Sequence, residues 1–198
     1  MRNSLIILSF ILSTLGAQTS FVGTTIATSA DIAKSVKIAD LDGDGDLDII
    51  GVSEADDALS WYENDGAANP TFVAADIATN IDGAMDLFVA DMDNDGDLDI
   101  VTASNNDDEI AFFENNGAAN PSFAYTSINT SADGAQSVYV ADMDNDGDLD
   151  IVSASMNDNT IAWYENNRAS DVSLWPAADI ATSASQATSL VVADLDGD

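Results

Sequence analysis

Asp40-Leu41-Asp42-Gly43-Asp44-Gly45-Asp46-Leu47-Asp48 places five carboxylates in nine residues. The pattern returns at Asp91–Asp99 and Asp142–Asp150 and begins again at Asp194, at intervals of 51, 51 and 52 residues. Like charges about 5 Å apart repel by roughly 0.8 kcal/mol in water and about 3 kcal/mol at an effective dielectric of about 20. A hard cation with many oxygen ligands converts that repulsion into binding. Calcium does so best, because it accepts about six to eight oxygens in flexible geometry.

Numbering the loop from Asp40, carboxylates at positions 1, 3 and 5 converge when the chain wraps round an ion. Glycine at position 6 permits a sharp turn with positive φ. Position 7 offers its backbone carbonyl, so its carboxylate need not bind, and position 9 returns a carboxylate. The candidate metal residues are therefore Asp40, Asp42, Asp44, Asp46 and Asp48, then Asp91, Asp93, Asp95, Asp97 and Asp99, then Asp142, Asp144, Asp146, Asp148 and Asp150. The fourth loop contributes Asp194, Asp196 and Asp198. An EF-hand requires a bidentate Glu at position 12 and flanking helices. Position 12 here is Gly51, Thr102 or Ser153, inside an apolar run that reads as a strand.

Working outward, each repeat has the same parts. Ser35 to Ala39 precedes the first acidic loop, and Leu47 to Val52 leaves it. A polar turn leads to Ala58-Leu59-Ser60-Trp61-Tyr62-Glu63-Asn64, and a Gly/Pro turn leads to Phe72 to Ala78. Four short strand-like segments bounded by Gly, Asn, Asp or Pro, at this period, are the signature of a propeller blade. A stacked β-solenoid is the alternative, although its rungs are usually shorter. The expected fold is all-β: a β-propeller of four-stranded blades of about 51 residues, present as an incomplete ring. The units fall at 35–78, 86–129 and 137–181, another starts at 189–198, and Phe21 to Ala27 reads as a lone fourth strand. Ring closure takes about four to eight blades, so the reading expects further repeats in a longer chain.

The chain resembles the FG-GAP or VCBS repeat, the blade unit of integrin-α-like propellers. The resemblance rests on the Asp-x-Asp-x-Asp-Gly-x-x-Asp loop, the Leu-Asp-Ile-(Ile/Val) that follows, and an aromatic motif. That motif reads Trp61-Tyr62-Glu63-Asn64, Phe112-Phe113-Glu114-Asn115 and Trp163-Tyr164-Glu165-Asn166. The resemblance covers Phe21 to Asp198 and implies a calcium loop between the first two strands of each blade. The Phe-Gly and Gly-Ala-Pro signatures of integrin repeats are absent. The aromatic pair reads as packing between blades, with stacking on a sugar ring as the sharper alternative.

Residues 1–18 read as a signal peptide: Arg2, an apolar run from Leu5 to Leu15, then Gly16-Ala17. The run is shorter than the roughly 20 residues a membrane span needs. Residues 19–198 are then the repeat region. The formal charge is −32, from 36 acidic and four basic residues, and half of the acids sit in the metal loops. An acidic surface argues against nucleic acid or anionic membrane as partner. There is no histidine and no cysteine, which removes the commonest general base and any thiolate or disulfide. Glu63, Glu114 and Glu165 recur in every unit, whereas acid–base catalysis needs carboxylates in different environments.

The expected function is a secreted, calcium-binding, non-catalytic binding or adhesion module for a glycan or an extracellular protein. The alternatives are the non-catalytic propeller of a larger polysaccharide-degrading enzyme, or a spacer in a surface protein. Antiparallel order places the turns Glu54 to Asp57, Asn105 to Asp108 and Met156 to Asn159 opposite the metal loops. The connectors Thr79 to Ala84, Thr130 to Ala135 and Thr182 to Ala187 join them there. These segments vary most between repeats, so partner recognition is expected on that end.

Overall fold

The computed structural model describes residues 23–167 and 175–195. The leader assigned to residues 1–18, together with Asp196 and Asp198, lies outside them. Among the described residues every regular element is a strand, and no helix is long and apolar enough to cross a membrane.

The first blade contains β1 (Ala33–Ala39), β2 (Asp48–Ser53), β3 (Ala58–Asn64) and β4 (Phe72–Ala78). The second contains β5 (Ala84–Ala90), β6 (Asp99–Ser104), β7 (Glu109–Asn115) and β8 (Phe123–Asn129). The third contains β9 (Ala135–Ala141), β10 (Asp150–Ser155), β11 (Thr160–Tyr164) and β12 (Ala177–Ala181). Each blade is an antiparallel sheet in sequential order. Equivalent registers recur: Ile49 opposes Tyr62, Ile100 opposes Phe113 and Ile151 opposes Tyr164.

The period-2 alternation of a strand sends successive side chains to opposite faces, and in the second blade each face meets a different neighbouring blade. Ile50, Val52, Leu59 and Trp61 leave the first blade on its trailing side and pack with Leu87, Ile100, Ala111 and Phe113 of the second. Val101, Ala103, Ile110 and Phe112 leave the second and pack with Val138, Ile151, Ala162 and Tyr164 of the third. This explains the nearly apolar second strands, since both faces of the second blade's β6 are covered. Full burial of side chains such as Ile50, Leu87 and Ile110 stabilises each seam by about 1.5–3 kcal/mol apiece.

The leading side of the first blade shows what a seam supplies. Val36 is 60% exposed, while its counterparts Leu87 and Val138 are 0% and 3% exposed. Ile38 and Leu47 are also exposed, whereas Leu98 and Leu149 pack into seams. Two expected segments differ from the sequence reading. Of the lone fourth strand at Phe21 to Ala27, the described part from Gly23 on forms no strand. The start of the next unit, from residue 189, also forms none.

Candidate metal centre in three repeated loops

The chain leaves β1, turns through the acidic loop and re-enters as β2, and the next two blades do the same. Within the first loop, Asp44 N–H donates to Asp42 Oδ1 (3.2 Å), Gly45 N–H to Asp40 Oδ2 (3.0 Å) and Asp46 N–H to Asp44 Oδ1 (2.9 Å). The second and third loops repeat this winding. Position 6 requires glycine, with φ of 97°, 99° and 96° at Gly45, Gly96 and Gly147. Position 4 is also left-handed, at Gly43, Asn94 and Asn145. Sequence reasoning missed that position. Its signal was the exchange of Gly for Asn, the two residues that tolerate this region best.

Ligand atoms of Asp40, Asp42 and Asp44 lie within 4.8 Å of one another, as do those of Asp142, Asp144 and Asp146. In the second loop the set within 4.8 Å is Asp91, Asp93 and Asp99. Positions 1 and 3 thus converge in all three loops, position 5 joins them in two, and position 9 in one. Asp194 belongs to no such cluster among the described residues.

The position-9 carboxylates are buried and act as hubs. Asp48 accepts the N–H groups of Leu41 (3.1 Å) and Asn64 (2.8 Å). Asp99 accepts those of Met92 (3.0 Å) and Asn115 (2.8 Å). Asp150 accepts those of Met143 (3.0 Å) and Asn166 (2.7 Å). Position 7 is in none of the clusters. The carboxylates of Asp46 and Asp97 lie against Gly66 and Gly117, where a Cβ would collide with them. Asp148 Oδ1 accepts from Asn94 Nδ2 across the second seam (3.3 Å).

Burial and then the like charge of Asp44, Asp95 and Asp146 hold Asp42, Asp93 and Asp144 above the usual carboxylate range. Asp99 is pushed up to about 7, first by burial, with Asp93 and Asp95 adding to it. Asp40 Oδ1 and Asp142 Oδ1 are buried and have no hydrogen-bond partner. A buried anionic oxygen without a donor is costly. With carboxylates as the whole donor set and no histidine or cysteine in the chain, the site fits a hard, oxygen-seeking cation.

The FG-GAP-like repeat model matches residues 40–102, 91–153 and 142–198. The chain belongs to the FG-GAP-like repeat family. Such repeats often bind calcium, and the acidic clusters stand where a metal would be held. A search of curated proteins finds no match to the chain.

The aromatic motif serves the architecture. Trp61 and Phe112 enter the following seam, and Phe113 and Tyr164 enter the preceding one. All four are at least nine-tenths buried, which favours blade packing over sugar stacking for them.

At the other end of the blades, the second-to-third-strand turns are tied to the connectors. Asp57 O accepts from Ile81 N–H (2.9 Å), and Asp57 Oδ1 accepts from Gly83 N–H (3.1 Å). Asp108 binds Ala132 and Gly134 in the same way, and Asn159 binds Ala184 and Gln186. Asp57, Asp108 and Asn159 are all left-handed. These segments form a second set of links between successive repeats, on the end where the sequence reading expects partner recognition.

Proposed function

We propose that the chain is a secreted, calcium-loaded, non-catalytic module that binds a glycan or an extracellular protein. FG-GAP-like repeats generally mediate binding or adhesion, and they occur in extracellular and surface proteins. The observation that carries the calcium part is the pair of buried, unpartnered oxygens, Asp40 Oδ1 and Asp142 Oδ1, each beside two further carboxylates. Calcium there ties the start of one strand to the end of its neighbour and removes the repulsion within the loop. Extracellular modules bind calcium at roughly 0.1–1 mM, a range that keeps such sites filled outside a cell. The leader-like sequence of residues 1–18 supports export.

Two measurements test the reading in turn. Isothermal titration of the chelated chain with calcium should give heats that vanish in a chain carrying Asp42→Ala, Asp93→Ala and Asp144→Ala. Absence of heat from the unmodified chain would sink the metal reading. A glycan array and a pull-down from extracellular fluid, with and without calcium, then test the partner reading. Retention in neither would leave a calcium-bound spacer.

A further inference from the structure

Asn115 ends β7 and Asn166 lies two residues beyond the end of β11, and each reaches into two metal loops. Asn115 N–H donates to Asp99 Oδ1 of its own loop (2.8 Å). Its Nδ2 donates to Leu98 O of that loop (3.1 Å) and to Leu41 O of the preceding one (3.0 Å). Asn166 does the same with Asp150 (2.7 Å), Leu149 O (3.1 Å) and Met92 O (3.0 Å). Leu41 and Met92 occupy position 2, and their own N–H groups donate to Asp48 and Asp99. The path runs without a break through Asp48, Leu41, Asn115, Asp99, Met92, Asn166 and Asp150. Both asparagines are buried, at 2% and 4% exposure, so water does not substitute for a lost partner.

We propose that Asn115 and Asn166 are positioning residues that couple calcium binding in adjacent loops, each filled loop raising its neighbour's affinity. The inference rests on the calcium reading above. A cation in the first loop draws Asp40, Asp42 and Asp44 together and fixes the backbone they bracket, including Leu41 C=O. A fixed carbonyl orients the Asn115 amide, and Asn115 orients Asp99, which belongs to the second cluster. Ordering completed by the first ion is then not required of the second. The Asn94–Asp148 bond adds a second link between the second and third loops. Such coupling is reciprocal.

Calcium titration of the full, isotope-labelled chain by NMR tests this. The Gly45, Gly96 and Gly147 amides each donate to the position-1 carboxylate of their loop, so each reports one site. Inactivating the first loop with Asp42→Ala and Asp44→Ala should weaken binding at Gly96 by about fivefold or more, the lower end of ordinary coupling. In an Asn115→Ala chain the same inactivation should leave the Gly96 curve unmoved. An asparagine with only a structural role would lower stability yet leave the coupling intact. Independent titration at Gly96, or coupling that survives Asn115→Ala, overturns the proposal. If Asn115→Ala does not fold, a chain carrying Asn166→Ala together with Asn94→Gly, which removes the second link and keeps the left-handed turn, makes the same test at the other seam with the second loop inactivated and Gly147 read. If no glycine signal moves in the unmodified chain, the calcium reading itself has failed, an outcome distinct from three independent sites.

Discussion

Removing calcium at two pH values separates the metal reading from every account in which the acidic loops are solvated surface. At about 10 mM calcium, sites with dissociation constants of roughly 0.1–1 mM stabilise the folded chain by about 1.4–2.7 kcal/mol each. The three clusters together contribute on the order of 4–8 kcal/mol, comparable with the whole stability of an ordinary domain. At about 2–4 °C per kcal/mol for a chain of this size, chelation should lower Tm by roughly 10–30 °C. The pH dependence then follows from Asp99. Its folded-state pKa of about 7 lies above the ordinary aspartate value of 3.8. Below pH 3.8 both states hold the proton. Between 3.8 and 7 the folded state holds it and the unfolded state releases it, so stability falls as pH rises. The raised values of Asp42, Asp93 and Asp144 act in the same direction. Asp65 acts oppositely, because the Thr71 hydroxyl and backbone amides hold it low, but its effect is lost only below pH 3.8. In EDTA, Tm should therefore fall between pH 5 and pH 8. With calcium it should hold or rise, because deprotonated carboxylates bind the ion. Calorimetry of the full chain measures all four conditions. Equal Tm with and without calcium at pH 8, or an EDTA profile that climbs from pH 5 to pH 8, would refute the reasoning.

Two substitution pairs probe the scaffold. Gly117→Ala should destabilise by about 1–3 kcal/mol in urea titration, because Gly117 has φ of 64° and the Asp97 carboxylate occupies the space of a Cβ; adding Asp97→Ala should recover part of the loss. Leu87→Ala should cost about 2–5 kcal/mol, whereas Val36→Ala at the equivalent exposed position should change stability by less than about 0.5 kcal/mol.

The local part of the fold was legible because each repeat carries its own strand and turn chemistry. Ala58 to Asn64 read as a strand because turn residues bound it on both sides, and Gly45 announced a left-handed turn because almost nothing else adopts one cheaply. The blade assignment came from four such segments recurring at one period. Whether a strand face is covered was not legible. Val36 and Leu87 are equally apolar, and only the neighbouring blade decides which is buried. The aromatic motif's Asn was visible as a recurring letter, but its bond to a carbonyl 74 residues away is a product of blade stacking. Position 7 read as a backbone-carbonyl donor whose carboxylate need not bind, with no place assigned to that carboxylate, and position 9 looked equivalent to positions 1, 3 and 5. Hairpin closure turns position 9 toward backbone amides, and the glycine of the following turn makes room for position 7.

The variation between repeats at the end opposite the metal loops now has a packing explanation. Asn106 and Asn157 lay their side chains over Gly83 and Gly134, and they donate to Asp82 (2.8 Å) and Asp133 (2.9 Å). A Cβ at Gly83 would come within 2.7 Å of the Asn106 amide. In the first repeat, Ala55 stands in place of that asparagine, and the left-handed connector residue is Ile32, which carries a full side chain. Asn with Gly, and Ala with Ile, are two solutions to one contact. A difference that looked like an individual recognition surface is, at these positions, a compensated pair. On the partner-binding proposal, the discriminating residues at this end must therefore be sought outside the pairs, among side chains such as Asn105 and Met156 that head the turns.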